Sequence, residues 1–314
     1  MSRPRLAALP HELRRIITTA IRHHSTTTTS SVSSSEVSHF SALASSWWDP
    51  HGPSRILHLM NPLRHQFISR CRNTSSPLTS THPSTQSPSP SPSSPPHSSR
   101  TLKYLDIGCG GGIFAESAAR LPNALSVTAI DPTPDVIAVA KGHMRRDPGL
   151  AQSGRLQYLN TSIEDLSLLE TSAPHESTST ASSNASRTAD SKGMDIVSIF
   201  EVIEHVNSPN AFLDQCMRHV KPGGWLIGST IARTMTSYFT TKFMAEDVLR
   251  VVPRGTHDWN KYINAEEMRE CVARKEGWGE WRVMGVLYVP GVGWREVSKG
   301  EEWGNYFFGI RRLQ

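Results

Sequence analysis

The chain has 314 residues, a formal net charge of +5 and only 37% hydrophobic residues, so it accommodates one large domain with appendages that lie outside a packed core. Its cysteines, Cys71, Cys109, Cys216 and Cys271, lack CxxC spacing and fit reduced thiols better than disulfides or a zinc site. No apolar run approaches the ~18 residues of a membrane-spanning helix, and the lysines and arginines are scattered rather than striped, which argues against a nucleic-acid partner.

In chain order, Arg3, Arg5, Arg14, Arg15 and Arg22 face a single acid, Glu12, within the first 35 residues. Leu6, Leu9, Leu13, Ile16, Ile17 and Ile21 can line one helical face, and a Ser/Thr run follows. This amphipathic, Arg- and Ser-rich, acid-poor composition predicts a mitochondrial transit peptide over 1–36. Residues 37–72 read as a helical segment. Residues 73–100 are almost entirely Ser, Thr and Pro, and 171–192 are Ser/Thr/Ala-rich without a hydrophobic period. Neither can bury enough apolar surface to offset ordering entropy, so both read as disordered insertions.

From residue 101 onward strands and helices alternate. Tyr104-Leu105-Asp106-Ile107 reads as the end of a buried strand, Gly108, Gly110, Gly111 and Gly112 crowd the following turn, and residues 113–120 read as a helix. The next strand, 126–130, ends in Asp131. Glycines let a backbone approach a bound cofactor without Cβ interference, and an acid at the tip of the second strand can accept hydrogen bonds from ribose hydroxyls. A dinucleotide GxGxxG is excluded, because its last glycine would fall on Ile113. Further helices are expected over 134–146, 209–220 and 264–276. Strands are expected over 155–160, 195–200, 225–230, 281–289 and 305–312, with Lys221-Pro222-Gly223-Gly224 as a turn. Such alternation predicts an α/β fold with a doubly wound, mostly parallel sheet covered on both faces.

Two segments carry chemistry of their own. Glu201, Glu204 and His205 directly follow the 195–200 strand, at spacings that would put all three on one face of a helical turn. Two carboxylates and an imidazole suit a divalent cation, and the imidazole admits Mn²⁺, Zn²⁺ or Fe²⁺ as well as Mg²⁺. Alternatively His205, with an ordinary pKa of about 6.5, is a metal-free general base. Residues 236–258 form an inserted amphipathic segment in which Phe239, Phe243, Met244 and Leu249 are flanked by Lys242, Arg250 and Arg254, a composition suited to peripheral membrane contact.

Trp47-Trp48-Asp49-Pro50, His58-Leu59-Met60-Asn61-Pro62-Leu63-Arg64, the 105–112 glycine segment, Glu201-Val202-Ile203-Glu204-His205-Val206, Val220-Lys221-Pro222-Gly223-Gly224 and Val252-Pro253-Arg254-Gly255-Thr256-His257-Asp258-Trp259 together resemble the mitochondrial ubiquinone-biosynthesis O-methyltransferases. That family belongs to the class I S-adenosylmethionine (SAM)-dependent methyltransferases. The resemblance implies a Rossmann-like, seven-stranded sheet in 101–314, with 37–72 contributing to the SAM site. It implies SAM contacts at Arg64, Gly108, Asp131 and Phe200, and Glu201, Glu204 and His205 as catalytic residues and ligands of Mg²⁺. The implied substrate is a polyprenylated catechol, namely polyprenyl dihydroxybenzoate and demethylubiquinol intermediates. The implied setting is the matrix side of the mitochondrial inner membrane, peripherally attached, within a multi-subunit complex of ubiquinone synthesis. Gly291-Val292-Gly293-Trp294 matches the family only loosely. A methyltransferase for another small phenol or amine, and a non-catalytic scaffold of the same fold, are the competing readings.

Overall fold

The central strands are apolar on both faces, because helices cover the sheet on both sides. In β1 (Leu102–Ile107) the alternate side chains of Tyr104 and Leu105 enter separate hydrophobic cores, one on each face. The computed structural model describes residues 30–73, 101–172, 193–233, 263–302 and 304–314. Residues 1–29 of the expected transit peptide, nearly all of both Ser-rich insertions and the 236–258 segment lie outside the described residues.

The chain enters through α1 (Ser34–Leu43), a 3-10 turn (Ala44–Ser46) and α2 (Arg55–Asn73). The folded unit begins at Ser31, inside the span assigned to the leader. After β1 come α3 (Ile113–Ala119), β2 (Ala124–Asp131), α4 (Pro134–Met144), α5 (Pro148–Ser153), β3 (Leu156–Asn160) and α6 (Ile163–Ser172). The second half holds β4 (Met194–Phe200), a 3-10 turn (Ile203–His205), α7 (Pro209–Arg218), β5 (Val220–Ile231), α8 (Ala265–Ala273), β6 (Trp278–Val289), β7 (Gly293–Glu296) and β8 (Asn305–Arg312). Residues from α2 to α5 pack on one face of the sheet, and residues of α6, α7 and α8 pack on the other.

The strand order is β3-β2-β1-β4-β5-β8-β6-β7. Neighbours from β3 to β5 are parallel, while β8 pairs antiparallel with both β5 and β6. The expected doubly wound sheet is present, with an eighth strand at its edge. That strand, β7, returns from β6 through Pro290-Gly291-Val292, where Gly291 at φ +78° and Gly293 at φ +91° supply the left-handed turn conformations that a short hairpin needs. The expected turn Lys221–Gly224 instead lies within β5, as an irregularity in the pairing with β4. Lys221 is fastened there to Asp195, Nζ to Oδ1 at 2.6 Å. Because β2 and β3 lie to one side of β1, and β4 and β5 to the other, the winding reverses between β1 and β4. A crevice opens beyond the carboxyl ends of those strands, where such sheets bind ligands.

Candidate functional site

At the end of β1 the chain must turn sharply under a second layer. Gly108, Gly110 and Gly112 all have positive φ, at +68°, +52° and +88°. A Cβ on Gly110 would stand 2.3 Å from Cζ2 of Trp47, and one on Gly111 2.2 Å from its Cδ1. The Trp47 indole therefore rests directly on the glycine turn. Trp48 adds a hydrogen bond from Nε1 to the Gly111 carbonyl (2.8 Å), and its ring stacks on His143 with centroids 3.4 Å apart. Asn61 of α2 donates to the Ile113 carbonyl at 3.0 Å. The Trp-Trp and Asn-Pro-Leu-Arg motifs thus clamp the N-terminal helices onto the turn.

Asp131, at the tip of β2, holds the turn from the other side. Its Oδ2 accepts from the Gly110 amide (3.0 Å) and its Oδ1 from the Thr133 amide (2.8 Å), while burial pushes its pKa up. The Thr133 side chain adds a further hydrogen bond, and the carboxylate, with about four acceptor positions, still has capacity for another donor.

A cavity of 840 Å³ occupies the crevice, and Arg64, Gly108, Asp131, Phe200, Glu201, Glu204 and His205 all line it. These residues come from both sides of the Ser/Pro-rich segment and from separate strands and helices. Arg64 reaches the cavity from α2 and is 3% exposed. Its Nη1 donates to Asn61 Oδ1 at 3.0 Å, its guanidinium lies 4.9 Å from the Phe200 ring centroid, and its Nε has no hydrogen-bond partner among the described residues. Burial lowers its pKa, against the pull of Glu201 and Asp106. A buried cation with an idle donor in a cavity is the arrangement that a ligand carboxylate completes. Phe200 is shared between cavity and core, edge-on to Phe114 at 4.7 Å and to Phe307 at 6.1 Å.

Asp106 also lines this cavity, though sequence reasoning had read it only as strand. It accepts from Ser198 Oγ at 2.7 Å, and burial raises its pKa to about 7. A carboxyl that holds its proton more tightly when folded stabilises the fold at low pH and loses that contribution as the pH climbs toward and through 7. The ligand-free protein is therefore expected to lose up to about 4 kcal/mol relative to an Asp106→Asn variant between pH 4 and pH 8. Thermal midpoints of the two proteins across that range measure the difference directly, and parallel curves would reject it.

The acidic end of the cavity departs from the expected helical turn. Glu201 sits before the turn with φ +56°, and only Ile203–His205 is helical. The Glu201 amide still pairs with the Ser229 carbonyl at 3.2 Å, so β4 pairing continues one residue past Phe200, and the chain reverses at that residue. Glu201 Oε1 accepts from Ser229 Oγ (2.7 Å), and Glu204 Oε2 accepts from Thr230 Oγ1 (3.1 Å). Burial, with the like charge of Glu201 second, pushes the Glu204 carboxyl up to about 7. His205 Nδ1 lies 3.0 Å from Oε2 of Glu36 on α1. Burial alone would lower the His205 pKa, but the Glu36 hydrogen bond and the surrounding carboxylates outweigh it and raise the pKa. With each side chain turned to its own partner, no three His, Cys, Asp or Glu among the described residues form a set that could hold a metal. The expected chelating set at Glu201, Glu204 and His205 is not formed among the described residues: Glu201 precedes the turn at φ +56° and accepts from Ser229, Glu204 accepts from Thr230, and His205 faces Glu36.

Sequence reasoning missed Glu36, Trp47 and Asp106 as cavity residues. Trp47 and Asp106 lie inside motifs that carry the family resemblance, whereas Glu36 has no local signal and falls within the span expected to be a leader. The loosely matching 291–294 segment also finds its place: Trp294 lines the cavity and donates from Nε1 to the Ile56 carbonyl at 2.8 Å.

A family model described as a methyltransferase domain matches residues 70–278. The chain is 38% identical over 305 residues to the mitochondrial ubiquinone biosynthesis O-methyltransferase of Candida albicans, covering 90% of this chain and 86% of that one. It is 39% identical over 261 residues to the protein of the same name in Schizosaccharomyces pombe, covering 82% and 77%. It is 34% identical over 265 residues to the ubiquinone biosynthesis O-methyltransferase of Xylella fastidiosa, covering 84% and 85%. Among solved structures, the plantazolicin methyltransferase BamL in complex with S-adenosylhomocysteine (SAH) and a substrate analogue superposes with a TM-score of 0.51. It does so at 12% identity over 89% of this chain and 97% of that one, a likeness of fold.

Proposed function

The chain belongs to the ubiquinone biosynthesis O-methyltransferases, SAM-dependent enzymes with the class I methyltransferase fold, and we propose that its cavity methylates a ring hydroxyl of a polyprenylated catechol with His205 as general base. The observation that carries this reading is the convergence of Arg64, Gly108, Asp131, Phe200, Glu201, Glu204 and His205 on one cavity at the switch point of the sheet.

SAM, when bound, supplies a methyl group made electrophilic by its sulfonium. Arg64, with its idle Nε, would clamp the methionyl carboxylate. Asp106, which lines the same cavity, would accept from the neighbouring ammonium. Asp131 keeps the glycine turn in place and would accept from the ribose hydroxyls. Phe200, at the end of β4, would pack against the cofactor. His205 takes the proton from the catechol hydroxyl, so that a phenolate oxygen is the nucleophile; its electron pair forms the new bond to the methyl carbon as the carbon–sulfur bond breaks and returns its pair to sulfur, leaving SAH. The cavity's apolar wall, including Val37, Phe40, Leu287 and Tyr288, excludes water from that step.

The experiment is methyl transfer from SAM to a soluble, short-tailed dihydroxybenzoate, with ring methoxy product and SAH quantified together. Equal formation of both is expected. SAH binding without transfer to any catechol would overturn the reading and favour the scaffold.

One observation favours a second reading at the same place. Burial, with the like charge of Glu201 second, pushes the Glu204 carboxyl up, and a divalent cation, Mg²⁺ in the family, would relieve two carboxylates placed so close together. Glu201, Glu204 and His205 share the cavity, but each is engaged by another side chain and they do not form a chelating set among the described residues. Chelation separates the readings. Activity that survives EDTA leaves His205 as the base acting alone, and activity restored only by Mg²⁺ means that Glu201 and Glu204 turn from Ser229 and Thr230 to take the ion.

Mitochondrial placement accords with the relatives named mitochondrial in Candida albicans and Schizosaccharomyces pombe. No helix among the described residues is long and apolar enough to cross a membrane. Peripheral attachment to the inner membrane from the matrix side, through 236–258, and membership of a multi-subunit complex complete the proposal. They rest on the isoprenoid tail of the substrate and the amphipathic sequence of that segment.

A further inference from the structure

We infer that Glu36 is a positioning residue for His205, and that residues 31–43 form a wall of the active site rather than the end of a leader. The inference rests on the reading of His205 as the base.

The segment is pinned on the loop that follows His205. The Asn207 amide donates to the Ser31 carbonyl at 3.0 Å, Asn207 Nδ2 donates to the Val32 carbonyl at 3.3 Å, and the Ser31 amide donates to Glu164 Oε1 at 3.2 Å. At the other end of α1, Ser41 Oγ donates to Asp135. Held at both ends, α1 presents Glu36 and Phe40, one turn apart on one face, to a single imidazole. Glu36 Oε2 is 3.0 Å from His205 Nδ1, and the Phe40 ring stands edge-on at 5.0 Å and 78°. Both residues line the same cavity as His205.

The chemistry follows from which nitrogen is engaged. With Nδ1–H donating to Glu36, the basic nitrogen of the neutral ring is Nε2, and the ring is held by the carboxylate at Nδ1 and the edge-on contact with Phe40. The same carboxylate then lies next to the positive charge that forms when Nε2 takes the proton. Glu201 and Glu204 act on the ring only through their charge, because their side-chain hydrogen bonds are to Ser229 and Thr230, whereas Glu36 engages Nδ1 itself. The side chains are only 23% and 14% exposed for Glu36 and His205, so the contact is not a solvated surface pair of small effect.

The test uses the full chain with a soluble catechol, and measures kcat, KM, SAH affinity and thermal midpoint for Glu36→Ala, Glu36→Gln, His205→Ala and the double variant Glu36→Ala/His205→Ala. Glu36→Ala is expected to lower kcat by about 10²-fold, the scale of a misplaced catalytic group, with KM and SAH affinity held within about twofold. Glu36→Gln retains an acceptor for Nδ1–H and should recover most of the loss. The double variant should be no slower than His205→Ala, because Glu36 acts through that ring. A wild-type kcat in Glu36→Ala alongside a slow His205→Ala would overturn the positioning role and spare the base. Equal loss of kcat, SAH binding and thermal midpoint in both Glu36 variants would overturn it too, as a contact that merely holds α1. A wild-type kcat in His205→Ala would instead remove the base reading on which the inference stands.

Discussion

Replacing His205 by alanine lowers kcat by about 10²–10⁴-fold, the contribution of a positioned general base, while SAH binds as before. The expectation rests on where the ring sits and on what surrounds it. Its Nδ1 is engaged by Glu36 at 3.0 Å, and the carboxylates of Glu36, Glu201 and Glu204 lift its pKa above the usual imidazole range against the opposing effect of burial. A base must be neutral to accept a proton. A raised pKa therefore makes the rate climb with pH through a limb displaced upward from about 6.5, the ordinary imidazole value. The same elevation brings the base closer to the pKa of a phenolic hydroxyl, near 10 for tyrosine, which favours transfer. Rates measured from pH 5 to pH 9 read both effects in the wild-type chain. A profile flat across that range, or an alanine variant of undiminished kcat, would remove His205 from the chemistry.

The fold was legible where its causes are local. Strand, glycine turn and helix follow one another in 104–120, and Asp131 ends the next strand, so both the sheet's doubly wound form and the place of the crevice could be read directly. Glu201 was misread for a local reason as well. The spacing of Glu201, Glu204 and His205 suits a helix, yet Glu201 still pairs with Ser229 and takes a left-handed conformation that spacing alone does not reveal. Lys221–Gly224 has the composition of a turn, but parallel pairing of β4 with β5 absorbs it as an irregularity within a strand. The remaining features depend on contacts far apart in sequence. Arg64 was named through its motif, but its route to the cavity depends on α2 lying against α3 and on Phe67 stacking with Phe307 at 5.7 Å. Glu36 lies 169 positions from its partner, in a Ser-rich stretch without any pattern of its own, and only the assembled wall gives it a meaning.

That assembled wall also sets the energetics of Arg64, for which Arg64→Met should move stability and binding in opposite directions. In the ligand-free chain the guanidinium is 3% exposed and has no ion pair among the described residues. It has Asn61 as a hydrogen-bond acceptor and the Phe200 ring at 4.9 Å. Burying a cation with so little compensation costs folding free energy. An apolar side chain of similar length that fills the same space should therefore leave the ligand-free thermal midpoint unchanged or higher. Binding changes the account, because a ligand carboxylate supplies the partner that the folded chain lacks. Losing a buried, hydrogen-bonded charge pair costs about 2–5 kcal/mol, so SAH affinity should fall roughly 30-fold to several thousand-fold. Arg64→Lys keeps the charge but not the planar fork, and should fall between the two. The control is 5′-methylthioadenosine, which retains the nucleoside and lacks the amino-acid moiety; its affinity should be the same in wild type and Arg64→Met. Calorimetry with both ligands decides the matter. Equal weakening of both would mean that Arg64 shapes the cavity as a whole, and unweakened SAH binding would mean that the carboxylate is held elsewhere.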